Sequence, residues 1–257
     1  MSGVLVERDG GVARVWLDRP ERRNAFDAAM IAGLSETFTS LAADATLRAV
    51  VLAGRGAAFC AGGDLAWMRA SGALPHEQNV ADAERLAAMF AAVDSCPVPV
   101  IGRVHGAALG GGTGLACCCD IVLAREDARF GFTEVRLGLI PATIAPFALA
   151  RIGRSHARAL FLSGELIPSE HALAIGLAHE VHADDEKLDE AVARVVAAVL
   201  RGGPAAVRAA KALIAQLRDG DPAPQAARAA DAIAARRASE EGREGIAAFL
   251  ERREPRW

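Results

Sequence analysis

Apolar and polar residues alternate along Val12 to Leu17 (VARVWL), the period-two pattern of a half-buried strand. Val4 to Arg8 stands just before it, and the intervening Asp9-Gly10-Gly11 predicts a tight turn joining an antiparallel pair. The period then changes. Met30, Ile31, Leu34 and Phe38 share one helical face, Asp27 is placed to cap that helix, and the pattern runs to about Ala43. Leu47 to Ala53 (LRAVVLA) is a short β-branched apolar run, the mark of a buried strand. A helix around Ala81 to Asp94 follows, with strands at Val98 to Val104 and Asp120 to Ala124. Strands alternating with helices predict an α/β core on a parallel sheet.

Beyond Pro141 the pattern is mostly helical: Ala145 to Ile152, Ser155 to Leu162, Ser169 to Ala174, Glu186 to Arg201, Ala205 to Leu217 and Ala226 to Arg237. Only His179 to His182 offers a late strand. Pro204, Pro222 and Pro224 punctuate this half, and no internal sequence repeat is evident. The pattern predicts an N-terminal α/β core carrying a C-terminal helical layer.

Composition narrows the class. With 257 residues, 52% of them hydrophobic, the chain suits one large domain or a domain with a helical appendage. A net charge of -3 and scattered arginines argue against a nucleic-acid partner. Met1 to Gly10 does not read as a secretory signal, and no uninterrupted apolar run reaches the roughly 18 residues of a membrane span, so a cytoplasmic location without membrane contact is expected. The five cysteines, three of them contiguous at Cys117 to Cys119, fit neither a disulfide framework nor a zinc site and read as packing. No metal and no separate cofactor is expected.

Two glycine-bearing segments carry the candidate chemistry. Phe59 to Met68 (FCAGGDLAWM) follows one predicted strand, and His105 to Cys119 (HGAALGGGTGLACCC) follows another. A helix N-terminus leaves backbone N–H groups unpaired and partially positive, and glycine lets the chain come close to a ligand. Two such termini converging at neighbouring strand ends would aim two donors at one oxygen. Neither segment has the GxGxxG or GxxxxGK pattern of a phosphate cradle.

Asn24-Ala25-Phe26, Ala61-Gly62-Gly63-Asp64-Leu65, His105-Gly106-Ala107-Ala108-Leu109-Gly110-Gly111-Gly112 and Phe130 to Pro141 (FGFTEVRLGLIP) resemble, in order and spacing, the successive signatures of the crotonase (enoyl-CoA hydratase/isomerase) family. The resemblance spans essentially the whole chain. It implies a spiral of ββα units over residues 1–200. Residues 201–257 would then form a helical region supporting a homotrimer or a dimer of trimers. It also implies an acyl-CoA thioester substrate, with coenzyme A entering as part of that substrate.

The same resemblance assigns the oxyanion-hole donors to the N–H groups of Gly63 and Gly111, and proton transfer to Glu134. It puts coenzyme A along Arg22, Asn24, Ala25, Ala61, Asp64, Leu65 and Gly110, with Phe249 as the aromatic that helps close the site. Arg23, Arg252 and Arg253 are further candidates for phosphate contacts.

One position departs from the family pattern. Two-carboxylate hydratases of this kind carry a second glutamate in Gly-Gly-Gly-x-Glu, and here that place is Gly114. Two readings stay open: a hydratase working with Glu134 alone, or a Δ3,Δ2-enoyl-CoA isomerase. Other crotonase reactions and a non-catalytic acyl-CoA-binding subunit remain behind them.

Gly63 to Met68 and Glu134 to Phe147 further resemble bacterial 3-methylglutaconyl-CoA hydratases and related hydratases of acyclic terpene breakdown. Gly114 is expected to leave room for a branched acyl group, and Arg69, Arg136 and Arg151 are candidates for a substrate carboxylate. His105 is expected to be structural, and Asp64 to stabilise its loop.

Overall fold

Strands β1 (Val4–Asp9) and β2 (Val12–Leu17) pair antiparallel across Gly10 and Gly11, with Val4 opposite Leu17. The computed structural model describes residues 2–217 and 222–257. A single 3-10 turn (Pro20–Arg22) leads to helix α1 (Ala28–Ala43), whose cap is the Asp27 carboxylate accepting from the Met30 N–H at 2.9 Å. Next come β3 (Ala49–Gly54), α2 (Leu65–Gly72), α3 (His76–Asp94), β4 (Val100–Val104), β5 (Ala107–Leu109) and α4 (Gly111–Cys118). They are followed by β6 (Ile121–Arg125), β7 (Arg129–Gly131), a second 3-10 turn (Glu134–Leu137), α5 (Ala145–Ser163), β8 (Ile167–Pro168), α6 (Ser169–Ala174) and β9 (Glu180–His182). Helices α7 (Asp185–Arg201), α8 (Pro204–Gln216), α9 (Pro222–Ala238) and α10 (Glu240–Glu251) complete the chain.

The main sheet has the order β1-β2-β3-β4-β6-β9 and is parallel from β2 onward. Its centre is covered on both faces, which is why β3 and β4 are buried along their whole length without alternation. Val50 and Leu52 face the large core that includes α1, α3, α4 and α5, while Ala49, Val51, Ile101 and Leu123 meet Leu188, Ala191, Val192 and Val195 of α7. Arg103 projects from β4 and ties α7 down through Asp185 at 2.8 Å and Asp189 at 2.6 Å.

A second layer builds up beside this sheet. Phe26 bridges to Gly63, Cys60 bridges to Ala108, and β5 pairs parallel with β7, which pairs with β8. Each turn of the chain thus puts one strand in the large sheet and a short segment in the small one. That is a spiral of ββα units, a repeat carried by the backbone with no matching repeat in the sequence.

Several boundaries differ from expectation. Helix α3 begins at His76 rather than Ala81, because its first residues, HEQNV, are exposed and carry no apolar period. The two helices expected between Ala145 and Leu162 are two halves of α5, broken at Gly153, whose φ of 70° interrupts the helical path. Strand β8 joins β9 as a second late strand, its two residues being too few to show alternation. Helix α8 docks on the core through Lys211, which reaches Asp120 at 2.6 Å, and Arg208, which donates to the carbonyls of Asp44 and Leu47.

Candidate active site

The site is assembled by a strap, two glycine turns and one carboxylate. In the strap, Arg23 and Asn24 both take left-handed backbone conformations, with φ of 49° and 56°. Asn24 is fully buried. Its amide donates to the carbonyls of Arg55, Ala58 and Phe59 at 2.9, 2.8 and 3.1 Å, and its side-chain oxygen accepts from the Arg19 N–H at 2.8 Å. Its side chain therefore holds the strap to the loop after β3 and is not among the groups that line the cavity. The residues beside it, Arg22, Arg23 and Ala25, do line the cavity.

The Phe26 N–H donates to the Gly62 carbonyl and the Asp64 N–H to the Phe26 carbonyl, both at 2.7 Å, so the Gly63 N–H between them points elsewhere. Asp64 caps α2 by accepting from the N–H groups of Ala66 and Trp67. Burial opposes its ionisation, but those N–H groups, with Arg19 and Arg22, hold its carboxyl below the ordinary range. Asp64 is a loop stabiliser on the cavity wall.

The second turn approaches so closely that a side chain would not fit between them. A Cβ on Gly62, where φ is +91°, would lie 2.7 Å from the Leu109 carbonyl oxygen and 3.5 Å from the Gly111 nitrogen. One on Gly112 would sit 2.1 Å from the Cys60 oxygen. Gly111 opens α4, and neither its N–H nor that of Gly63 meets an acceptor among the described residues. Two unpaired N–H groups thus stand on adjoining turns.

Glu134 begins the 3-10 turn after β7 and leans over Gly110, where a Cβ would lie 3.1 Å from its Oε1. Its Oε2 is buried without a hydrogen-bond partner. Burial pushes its carboxyl above the ordinary range, against one opposing backbone hydrogen bond. A carboxyl so placed can take or give a proton at low cost in reorganisation. A cavity of about 1030 Å³ adjoins all of these groups.

The residues matching the family of enoyl-CoA hydratases and isomerases run from 7 to 257, nearly the whole chain. The chain belongs to the enoyl-CoA hydratase/isomerase family. It is 37% identical to the enoyl-CoA hydratase from Shewanella pealeana, whose crystal structure superposes with a TM-score of 0.94 over 99% of this chain and 96% of that one. It is 33% identical to the 2,3-dehydroadipyl-CoA hydratase of Escherichia coli, over 99% of this chain and 98% of the relative. The crotonyl-CoA hydratase of Syntrophomonas wolfei is 30% identical over 98% and 96%. The fold is therefore the crotonase fold, and the chain is an enzyme of this family.

Against the family pattern, the place of the missing glutamate is informative. A Cβ on Gly114 would lie 2.3 Å from Ile144 Cγ2 and 3.3 Å from Phe90 Cε1. The space expected for an acyl branch is filled by a buried isoleucine and a buried phenylalanine. None of Arg69, Arg136 and Arg151 lines the cavity; Arg151 donates instead to the carbonyls of Cys117, Cys119 and Asp120.

Ala61, Asp64, Leu65 and Gly110 lie on the cavity wall, whereas Phe249 is 85% exposed on α10 and away from it. Arg253 is held by Glu244 and Glu251. His105 is buried, hydrogen-bonded to the Gly56 carbonyl at 2.8 Å, with burial lowering its pKa; it is outside the cavity. The five cysteines are all buried and unpaired. Among the described residues, no acidic, histidine and cysteine cluster is arranged to hold a metal, and no helix is long and apolar enough to cross a membrane.

One part of the wall was not anticipated from sequence. Ser71 at the end of α2 and Asn79, Asp82, Leu86 and Phe90 along α3 all face the cavity. The spacing 79, 82, 86, 90 is one helical face, a signal hidden because polar residues occupy half of it.

Proposed function

We propose that this enzyme hydrates a trans-2-enoyl-CoA with Glu134 as its single acid/base group. The observation that carries this reading is Glu134 itself: a buried carboxyl with one unpartnered oxygen beside two turns that each offer a free N–H. Those donors, Gly63 and Gly111, hold the thioester oxygen. Glu134 takes a proton from water as the water oxygen bonds to C3. The π electrons shift toward the thioester, leaving an enolate whose oxygen is held by the two N–H groups. Glu134 then returns the proton to C2, closing the balance with water added across the double bond.

The coenzyme end of the substrate lies toward Arg22 and Arg23, the only basic side chains on the cavity wall among the described residues. Ala25, Ala61, Leu65 and Gly110 flank its pantetheine. A 3-methylglutaconyl group would need a further cation for its second carboxylate, and the wall supplies none. The reading therefore favours an uncharged acyl group. The exposed Ile246, Phe249 and Leu250 of α10 support residues 201–257 as the region that joins copies into a homotrimer or a dimer of trimers. Phe249 would then bear on a site only across that contact.

Δ3,Δ2-Isomerisation is the second reading, favoured by the apolar filling at Gly114. With Ile144 and Phe90 where a water-holding carboxylate would stand, Glu134 would carry a proton from C2 to C4 and use no water. Steady-state assays with trans-2-enoyl-CoA and trans-3-enoyl-CoA separate the two. Production of 3-hydroxyacyl-CoA supports hydration; conversion of the 3-enoyl substrate alone supports isomerisation.

A further inference from the structure

The wall leading away from Arg22 and Arg23 is apolar until its end. Trp67 and Met68 of α2 and Leu86 and Phe90 of α3 line it, and Ser71, Asn79 and Asp82 form its polar end. Phe90 stands 3.5 Å from a Cβ placed on Gly111, so α3 starts its cavity face at the N–H pair. Asp82 lies eight positions earlier on the same face, about 12 Å along the helix axis at the usual rise. Ser71 lies seven positions beyond Asp64, about 10 Å along α2. Leu137, Leu139 and Ile140 line the same cavity; with the coenzyme placed at the arginine end, as proposed above, the acyl chain is taken to run along the α2–α3 wall toward Ser71 and Asp82.

Asp82 is only 8% exposed. Its Oδ2 accepts from the Ser71 hydroxyl at 2.6 Å and its Oδ1 from Arg85 at 2.9 Å. Because Ser71 spends its only proton on Asp82, the pair is left with acceptor oxygens and no free hydroxyl donor. Arg85 does not line the cavity and is largely solvent-exposed, so its charge only partly offsets that of Asp82. A methyl terminus can rest against the apolar wall before this polar end. A terminal carboxylate would meet a like charge there.

We propose that the Asp82 carboxylate, set by Ser71 and Arg85, is a specificity-determining group that excludes acyl chains ending in an anion. The enzyme thereby selects monocarboxylic enoyl-CoA thioesters over dicarboxylic ones. This deepens the enoyl-CoA reading of the cavity and rests on it.

The test compares 2-octenoyl-CoA with 2-octenedioyl-CoA, which differ only in a terminal methyl against a terminal carboxylate. The readout is the ratio of their kcat/KM values, which a brace merely joining α2 to α3 would not move. The wild-type ratio is expected to favour the monoacid by at least about tenfold, the scale of a partly offset like-charge contact. Asp82→Asn should bring the ratio toward one, and Arg85→Gln, which removes the offsetting charge from an exposed position, should widen it. A wild-type ratio near one overturns the proposal, as does a ratio unmoved by Asp82→Asn. If Asp82→Asn does not fold, an unchanged ratio in Arg85→Gln overturns it in the same way.

Calorimetric binding of octanoyl-CoA and octanedioyl-CoA reads the same discrimination whichever reaction the enzyme performs. Equal affinity for both overturns this proposal alone. If neither binds, the acyl-CoA reading of the cavity and this proposal fall together.

Discussion

Ile144 occupies the space directly above Gly114, so that a Cβ on Gly114 would come within 2.3 Å of Ile144 Cγ2. The glycine is there because the isoleucine needs it. Overpacking of this kind costs about 1–3 kcal/mol, so Gly114→Ala should lower stability by that order. Combining it with Ile144→Ala should cost less than the sum of the two changes, because each relieves the other. Denaturant melts of the two single variants and the double variant check the coupling; strict additivity would show that the contact is not made. Gly114→Glu, which installs the family's second carboxylate, should for the same reason fail to give an active two-carboxylate enzyme while Ile144 remains.

Asn24 gives a prediction that opposes its sequence reading. With three carbonyls and one N–H depending on its buried amide, Asn24→Ala should destabilise the fold by about 2–3 kcal/mol, the scale of leaving buried polar groups unpaired. A coenzyme-contact role would raise KM and leave the melting midpoint in place. Measuring both on one preparation separates the roles.

Gly62→Ala puts a Cβ at a φ of +91° and against the Leu109 oxygen. The two turns must then move apart, and the two N–H groups cannot both be aimed at one oxygen. A loss of about a hundredfold in kcat is expected, the effect of removing one such donor. Retention of full kcat would show that the alignment of these turns is unimportant.

Glu134 should trade stability for activity. Its folded-state pKa is raised by burial, so the native state binds its proton more tightly than the unfolded chain does. Its contribution to stability is therefore complete only at acid pH and is lost as pH rises through the raised value. Glu134→Gln should melt higher than the wild type at neutral pH, and the gain should vanish below the ordinary carboxylate range. Where the carboxylate acts as base, wild-type kcat/KM should keep rising with pH beyond that range. Thermal melts across pH, with the rate profile beside them, check both signs.

Much of the candidate site is legible in the sequence because it is made from backbone. Glycines at strand-to-helix junctions are visible as letters, and Gly62-Gly63 and Gly110-Gly111 mark where two turns come together. Glu134 stood out through its surrounding motif. The spiral was not legible from periodicity, because its second layer rests on single bridges at Phe26 and Cys60 and on strands of two or three residues. Ile144 filling the gap at Gly114 is a contact across thirty positions of chain, and no local pattern announces it. Asp82 is not legible in the sequence, because an acid on a helix with polar neighbours has the pattern of a surface residue and is buried only by the packing of α2 against α3. Asn24 is the converse case: it lies in a segment that the resemblance gives to coenzyme A, but its side chain turns into the core.

The decisive experiment is hydration of 2-octenoyl-CoA by the wild type and by Glu134→Gln, with octanoyl-CoA binding measured on both. Hydration by the wild type, reduced in the variant by about a hundredfold to ten-thousandfold with binding kept, is the expected result for loss of an acid/base group. Hydration that survives Glu134→Gln, or a wild type that acts only on the 3-enoyl thioester, would contradict a one-glutamate hydratase.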